Sequence, residues 1–131
     1  MNEPAIDQHT SALSLKGKTG IRRIFNATGY SLAGLRAAWG IEAAFRQIVF
    51  LNIMLLPWAF AVDVTRGERV ILIVMPLLAL IIELINSAIE ATIDRISLDI
   101  HPLSKQAKDM GSAAQLLCLM LIAITWLVIL L

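Results

Sequence analysis

The chain has 131 residues, enough for about one domain, with 11 Lys+Arg against 10 Asp+Glu and a formal charge of +1. Hydrophobic residues make up 58% and charged residues 16%, at a mean hydropathy of +0.77, whereas soluble domains sit near half apolar and a quarter charged. An ordinary water-soluble fold is thereby excluded. The balanced charge offers nothing to nucleic acid, and the single cysteine, Cys118, provides neither an intrachain disulfide nor a Cys/His zinc cluster.

Residues 1–20 are polar and irregular, with Pro4, Gly17 and Gly20 and no basic stretch leading into an apolar run. They are expected to form a disordered tail without a secretory signal. Gly17-Lys18-Thr19 imitates the end of a phosphate-binding loop, but the glycine that loop needs five residues earlier is Ala12.

Residues 21–47 have a different pattern. Ile21, Phe25, Thr28, Leu32, Leu35 and Trp39 recur at steps of three and four, and Arg22, Arg23 and Arg36 fall off that stripe. The spacing predicts an amphipathic helix lying in a membrane surface, interrupted around Gly29-Tyr30-Ser31.

Residues 48–131 contain three apolar blocks. Ile48–Val62 is broken only by Asn52. Val70 runs apolar through Ile82 and continues helically past Glu83 towards Ile93. Ala113–Leu131 has only Gln115 and Thr125 as polar members. A bilayer takes roughly 17–25 helical residues to cross, and the blocks lack the alternation of a barrel strand. The fold class expected is therefore an all-α integral membrane protein, three transmembrane helices preceded by the surface helix. Pro57 and Pro76 fall inside spans, where kinks are tolerated. Six basic residues precede the first span, two (Arg66, Arg69) lie in the first loop and three (Arg95, Lys105, Lys108) in the second. The positive-inside rule then puts the N-terminus in the cytoplasm, where a glycosylation-like Asn26-Ala27-Thr28 is silent.

The second span carries the chemistry. With Glu83 at zero and about 100° per residue, Asn86, Ser87, Glu90 and Asp94 all fall on one stripe about 100° wide. Glu83 and Glu90 are two turns apart, about 10 Å along the axis. A charge inside a span costs about 2.5–3.5 kcal/mol, so this stripe faces protein, water, metal or substrate. Its bland alternative is a structural polar seam, with Asp94-Arg95 simply emerging into water. Two clusters flank the same end: Glu42 with Arg46, which alone reads as an i,i+4 pair, and Lys108-Asp109 with Gly111-Ser112, which alone reads as a capped, snorkelling helix entrance. Together they put carboxylates, which suit hard cations such as Mg²⁺, beside cations that neutralise phosphate. That inventory suits phosphoryl transfer.

The strings Gly34-Leu-Arg-Ala-Ala-Trp39, Glu42-Ala-Ala-Phe-Arg-Gln47, Glu83-Leu-Ile-Asn-Ser-Ala-Ile-Glu90, Asp94-Arg95-Ile96 and Ala107-Lys-Asp-Met-Gly-Ser-Ala113 resemble the prokaryotic membrane-integral diacylglycerol kinases. The likeness runs from about Ile21 to the C-terminus. It implies a homotrimer in the bacterial inner membrane with active sites shared between protomers. It also implies transfer of the γ-phosphoryl of Mg-ATP to the primary hydroxyl of diacylglycerol, giving phosphatidic acid. By resemblance Glu83 is the general base, with Asn86 and Ser112 helping to position the reacting groups, and Glu42 and Glu90 hold Mg²⁺ against ATP. The nucleotide would further meet Arg23, Tyr30, Asp99, Ile100, His101, Lys108 and Asp109, and the lipid would meet Arg36, Trp39, Arg46 and Ser112. Ile48 stands where the family often has a carboxylate. A sister branch phosphorylates undecaprenol. From another class, buried glutamates also suit a small proton-coupled transporter subunit, and a surface helix suits a non-enzymatic scaffold.

Overall fold

The computed structural model describes residues 20–131 as four helices: α1 Ile21–Ile41, α2 Ala43–Ala61, α3 Arg66–Ile96 and α4 Pro102–Leu130. The tail expected over residues 1–20 lies, apart from Gly20, outside the described residues. No strand occurs among the described residues. α2, α3 and α4 are each long and apolar enough to cross a membrane, so the chain is an all-helical membrane protein. It falls into two compact units, one ending at Arg36 and one running from Ala37 to Leu131.

Gly20 takes φ +80° just before α1, a left-handed conformation that L side chains rarely adopt, and its carbonyl accepts from Arg23 N at 3.0 Å. α1 then runs unbroken through Gly29-Tyr30-Ser31, where an interruption was predicted. Thr28 and Ser31 hydroxyls turn back to the carbonyls of Ile24 and Ala27, both at 3.0 Å, so they donate along the helix instead of drawing the backbone out of it. A single glycine costs a helix only about 1 kcal/mol. The break comes later, at Glu42, whose backbone is extended (φ −99°, ψ 109°).

α3 is the central helix of the Ala37–Leu131 unit, packing on α2 and on α4. Lipid is as apolar as leucine, so spans associate through close packing and small residues. Ala59 and Ala79 are fully buried, and Ile48, Ala79, Cys118 and Ile122 form the core cluster. Pro76 is buried as well. Asn52 sits against it, its Nδ2 donating at 2.9 Å to both Ile48 O and Pro76 O, so a polar side chain ties α2 to the proline-bearing turn of α3.

The α2–α3 corner is stapled by its own side chains. Thr65 caps α3 in a capping box with Glu68. The Arg69 guanidinium donates to Phe60 O at 2.7 Å and Val62 O at 3.1 Å, satisfying carbonyls that the end of α2 leaves free.

α4 begins at Pro102, well before the apolar block at Ala113. His101 caps it, Nδ1 accepting from Leu103 N at 3.2 Å, and Pro102 occupies the first turn. The cap is therefore at His101 and not at Gly111-Ser112. Hydropathy marks what lipid can cover, while cap and backbone set where a helix starts. At 1.5 Å per residue α3 and α4 are about 46 and 43 Å long, so each extends beyond about 30 Å of hydrocarbon.

Candidate functional site

The acidic stripe of α3 forms as its helical period requires. Glu83 is 3% exposed and Asn86 9%. Glu83 is the one charged side chain among the described residues that is fully buried. Counted from Val70, the twenty-odd residues that cross the hydrocarbon end near Ile89, so Glu83 falls within that depth and Asp94 beyond it. One turn on from Glu83, Asn86 Nδ2 donates to Glu90 Oε1 at 3.2 Å. Asn86 Oδ1 and Ser87 Oγ are buried with no partner.

Glu42, at the break before α2, is half-buried. It and Glu90 are the two carboxylates whose charge acts on Glu83, so three acids from two elements share one neighbourhood. The expected Glu42–Arg46 pair is not formed. Arg46 Nη1 donates instead to Trp39 O at 2.7 Å, because the helix break at Glu42 leaves the last carbonyls of α1 without helical partners. Trp39 itself leans on Phe50, ring centroids 6.2 Å apart. Among the described residues no three His, Cys, Asp or Glu side chains converge as a metal cage.

The other predicted polar residues meet at the α3–α4 end. Lys108 Nζ pairs with Asp94 Oδ1 at 2.6 Å across the two helices, and Lys105 pairs with Asp109 one turn away. Asp94 is therefore not merely emerging into water. Ser97 Oγ accepts from Asp99 N at 3.0 Å and lies 3.1 Å from its Oδ2, folding the connection back. An open cleft of about 380 Å³ is lined by these side chains, and it brings together Asp99, Ile100, His101, Lys108 and Asp109. Water screens the half-exposed Asp94–Lys108 pair, so it is weakly held and open to exchange for another anion.

Ser112 is exposed, while its neighbour Gly111 is buried. Arg23, Tyr30 and Arg36 lie on α1 in the first unit. Arg23 and Tyr30, two turns apart, share one face, and Arg36 stands about 140° around the helix from Arg23. Asp94 as the partner of Lys108 was missed, since the two are separated by the α3–α4 connection. A second groove of about 320 Å³ runs between α3 and α4, walled by Ile82, Ile85, Ile89 and Met110, with Asn86 and Gly111 at its polar edge. One buried acid, a half-buried acid held by an amide, a polar cleft and an apolar groove can together deprotonate a hydroxyl, receive an anionic ligand and accept an acyl chain.

Residues 29–130 match the family model for prokaryotic diacylglycerol kinase. A Pseudomonas aeruginosa protein named diacylglycerol kinase is 66% identical over 116 residues, 88% of this chain and 94% of that protein. The Escherichia coli K12 protein of the same name is 50% identical over 115 residues, 86% of this chain and 92% of its own length. One from Haemophilus influenzae is 42% identical over 108 residues, covering 82% and 92%.

Proposed function

The chain belongs to the prokaryotic diacylglycerol kinase family, and from that premise we propose how its residues carry out the reaction. It is an ATP-dependent kinase that phosphorylates diacylglycerol. The observation that carries the mechanism is Glu83, a carboxylate 3% exposed within a membrane span. Such a group is costly at that depth, and that cost points to a functional role.

In this reading the acyl chains of diacylglycerol lie in the groove beside Asn86, and the primary hydroxyl reaches Glu83. Glu83 takes the hydroxyl proton as that oxygen bonds to the γ-phosphorus of ATP. The bond from phosphorus to the β,γ-bridging oxygen breaks, and ADP and phosphatidic acid leave. The polar cleft at Asp99–His101 and Lys108-Asp109 receives the nucleotide, with Lys108 exchanging Asp94 for phosphate. Arg23 and Tyr30 would add to the nucleotide contacts, and Arg36, Trp39, Arg46 and Ser112 to those of the lipid.

The donor chemistry of Glu42 and Glu90 fits Mg²⁺, which binds hard oxygens and is usually held by one or two carboxylates plus substrate phosphates, without an all-protein cage. When bound, Mg²⁺ neutralises charge on the phosphates. Glu42 and Glu90 would hold it, and the Asn86 amide fixes Glu90. Together with the excess of Arg and Lys on the N-terminal flank and on the facing ends of α3 and α4 (Arg95, Lys105, Lys108), this site chemistry favours a cytoplasmic N-terminus in the inner membrane. A homotrimer completing each site between protomers is part of the same proposal.

The test is product formation. Purified protein in mixed micelles with γ-labelled Mg-ATP is expected to make labelled phosphatidic acid from diacylglycerol in preference to labelled phosphate ester from undecaprenol. A folded, lipid-supplied preparation that labels neither alcohol overturns the reading, and preference for undecaprenol moves it to the sister branch.

A further inference from the structure

Among the described glycines, Gly20, Gly29, Gly34, Gly40 and Gly67 have open space where a Cβ would stand, and Gly111 does not. A Cβ on Gly111 would collide with Asn86 Oδ1, and Asn86 Cγ would stand 3.1 Å and its Cβ 3.8 Å away. The three nearest atoms all belong to one side chain of the facing helix. The glycine thus makes room for the Asn86 amide, and not for the backbone of α3.

We propose that Gly111 is a positioning residue for phosphoryl transfer: its missing side chain seats the Asn86 amide between α3 and α4, and the seated amide holds the Glu90 carboxylate. This rests on the reading of Glu90 as a ligand to the metal–nucleotide. Asn86 is nine-tenths buried, its Oδ1 fills the Gly111 notch and its Nδ2 donates to Glu90 Oε1 at 3.2 Å. A methyl at 111 would turn the Asn86 amide out of its present orientation, and the bond to Glu90 would be lost with it. Groups that orient a metal-holding carboxylate from behind typically carry 10–100-fold in metal affinity or activity. Alanine is also the better helix former, so a purely structural account predicts that Gly111→Ala leaves binding alone.

The experiment measures binding without turnover. The Mn²⁺ complex of a non-hydrolysable ATP analogue is titrated by electron paramagnetic resonance into the intact protein in micelles. Gly111→Ala is expected to weaken binding by about 10-fold in protein that remains folded. Asn86→Ala should weaken it similarly, and the double variant no further than Asn86→Ala alone. Wild-type binding by Gly111→Ala, or losses that multiply in the double variant, would overturn the proposal. Should Gly111→Ala alone fail to fold, a folded double variant supports the seat and an unfolded one overturns it. Glu90→Gln is the control for the underlying reading. Unchanged binding there removes Glu90 as a ligand, and with it the route from Gly111, whereas unchanged binding in Gly111→Ala alone removes only the seat.

Discussion

The α2–α3 corner and the Glu83–Glu90 stretch of α3 treat polar groups in opposite ways. At the corner, Thr65, Glu68 and Arg69 find their partners within a few residues, and the end of α2 and the start of α3 close on each other. In the other stretch Glu83 is buried, and Asn86 Oδ1 and Ser87 Oγ are buried with no partner. Buried polar groups are nearly always satisfied. On the proposed mechanism, the end of α3 that is left less satisfied is the one that meets substrate and nucleotide. In the proposed mechanism the corner serves stability and the stripe serves chemistry.

That division can be broken by substitution. The largest effect is expected at Glu83→Gln, which keeps size and hydrogen bonding but cannot take a proton. Initial rates of phosphatidic acid formation should fall by about 10²–10⁴-fold, at least about 2.7 kcal/mol of barrier, with the unfolding midpoint retained. Retained turnover would erase the distinction between the two regions. Arg69→Met should do the converse, removing two charge-assisted bonds for a loss of about 2 kcal/mol in stability. Unfolding by SDS titration reads that loss, while the activity of the folded fraction should be unchanged. Thr65→Ala is the smallest, about 1 kcal/mol for a helix cap, visible in the same titration. Reduced turnover per folded molecule in either corner variant would mean that the two ends of α3 are coupled.

Much of this was legible in residue order because a helix repeats. The period alone places Glu83, Asn86 and Glu90 on one stripe, and the burial of Glu83 and Asn86 follows from that stripe facing the bundle. The start of α4 was misplaced because hydropathy registers lipid contact, whereas the helix begins at a polar cap on His101. The pairing of Glu42 with Arg46 failed for a related reason. An i,i+4 argument assumes continuous helix, and the break at Glu42 offered Arg46 the free carbonyl of Trp39. Gly111 lay inside a recognised string without a role, since an absent side chain acquires meaning only from what fills its place.

Residue order by itself determined three helices long and apolar enough to span a membrane, the amphipathic pattern before them and the acidic stripe, because hydropathy and a 3.6-residue period are local properties; the kinase family came from the resemblance of its residue strings. Tertiary structure decided which helix faces which, that Asp94 meets Lys108, that Arg69 closes the corner, and that Asn86 rests where Gly111 has no side chain. Those contacts join residues on different helices. They depend on the register between packed helices, which no local period encodes.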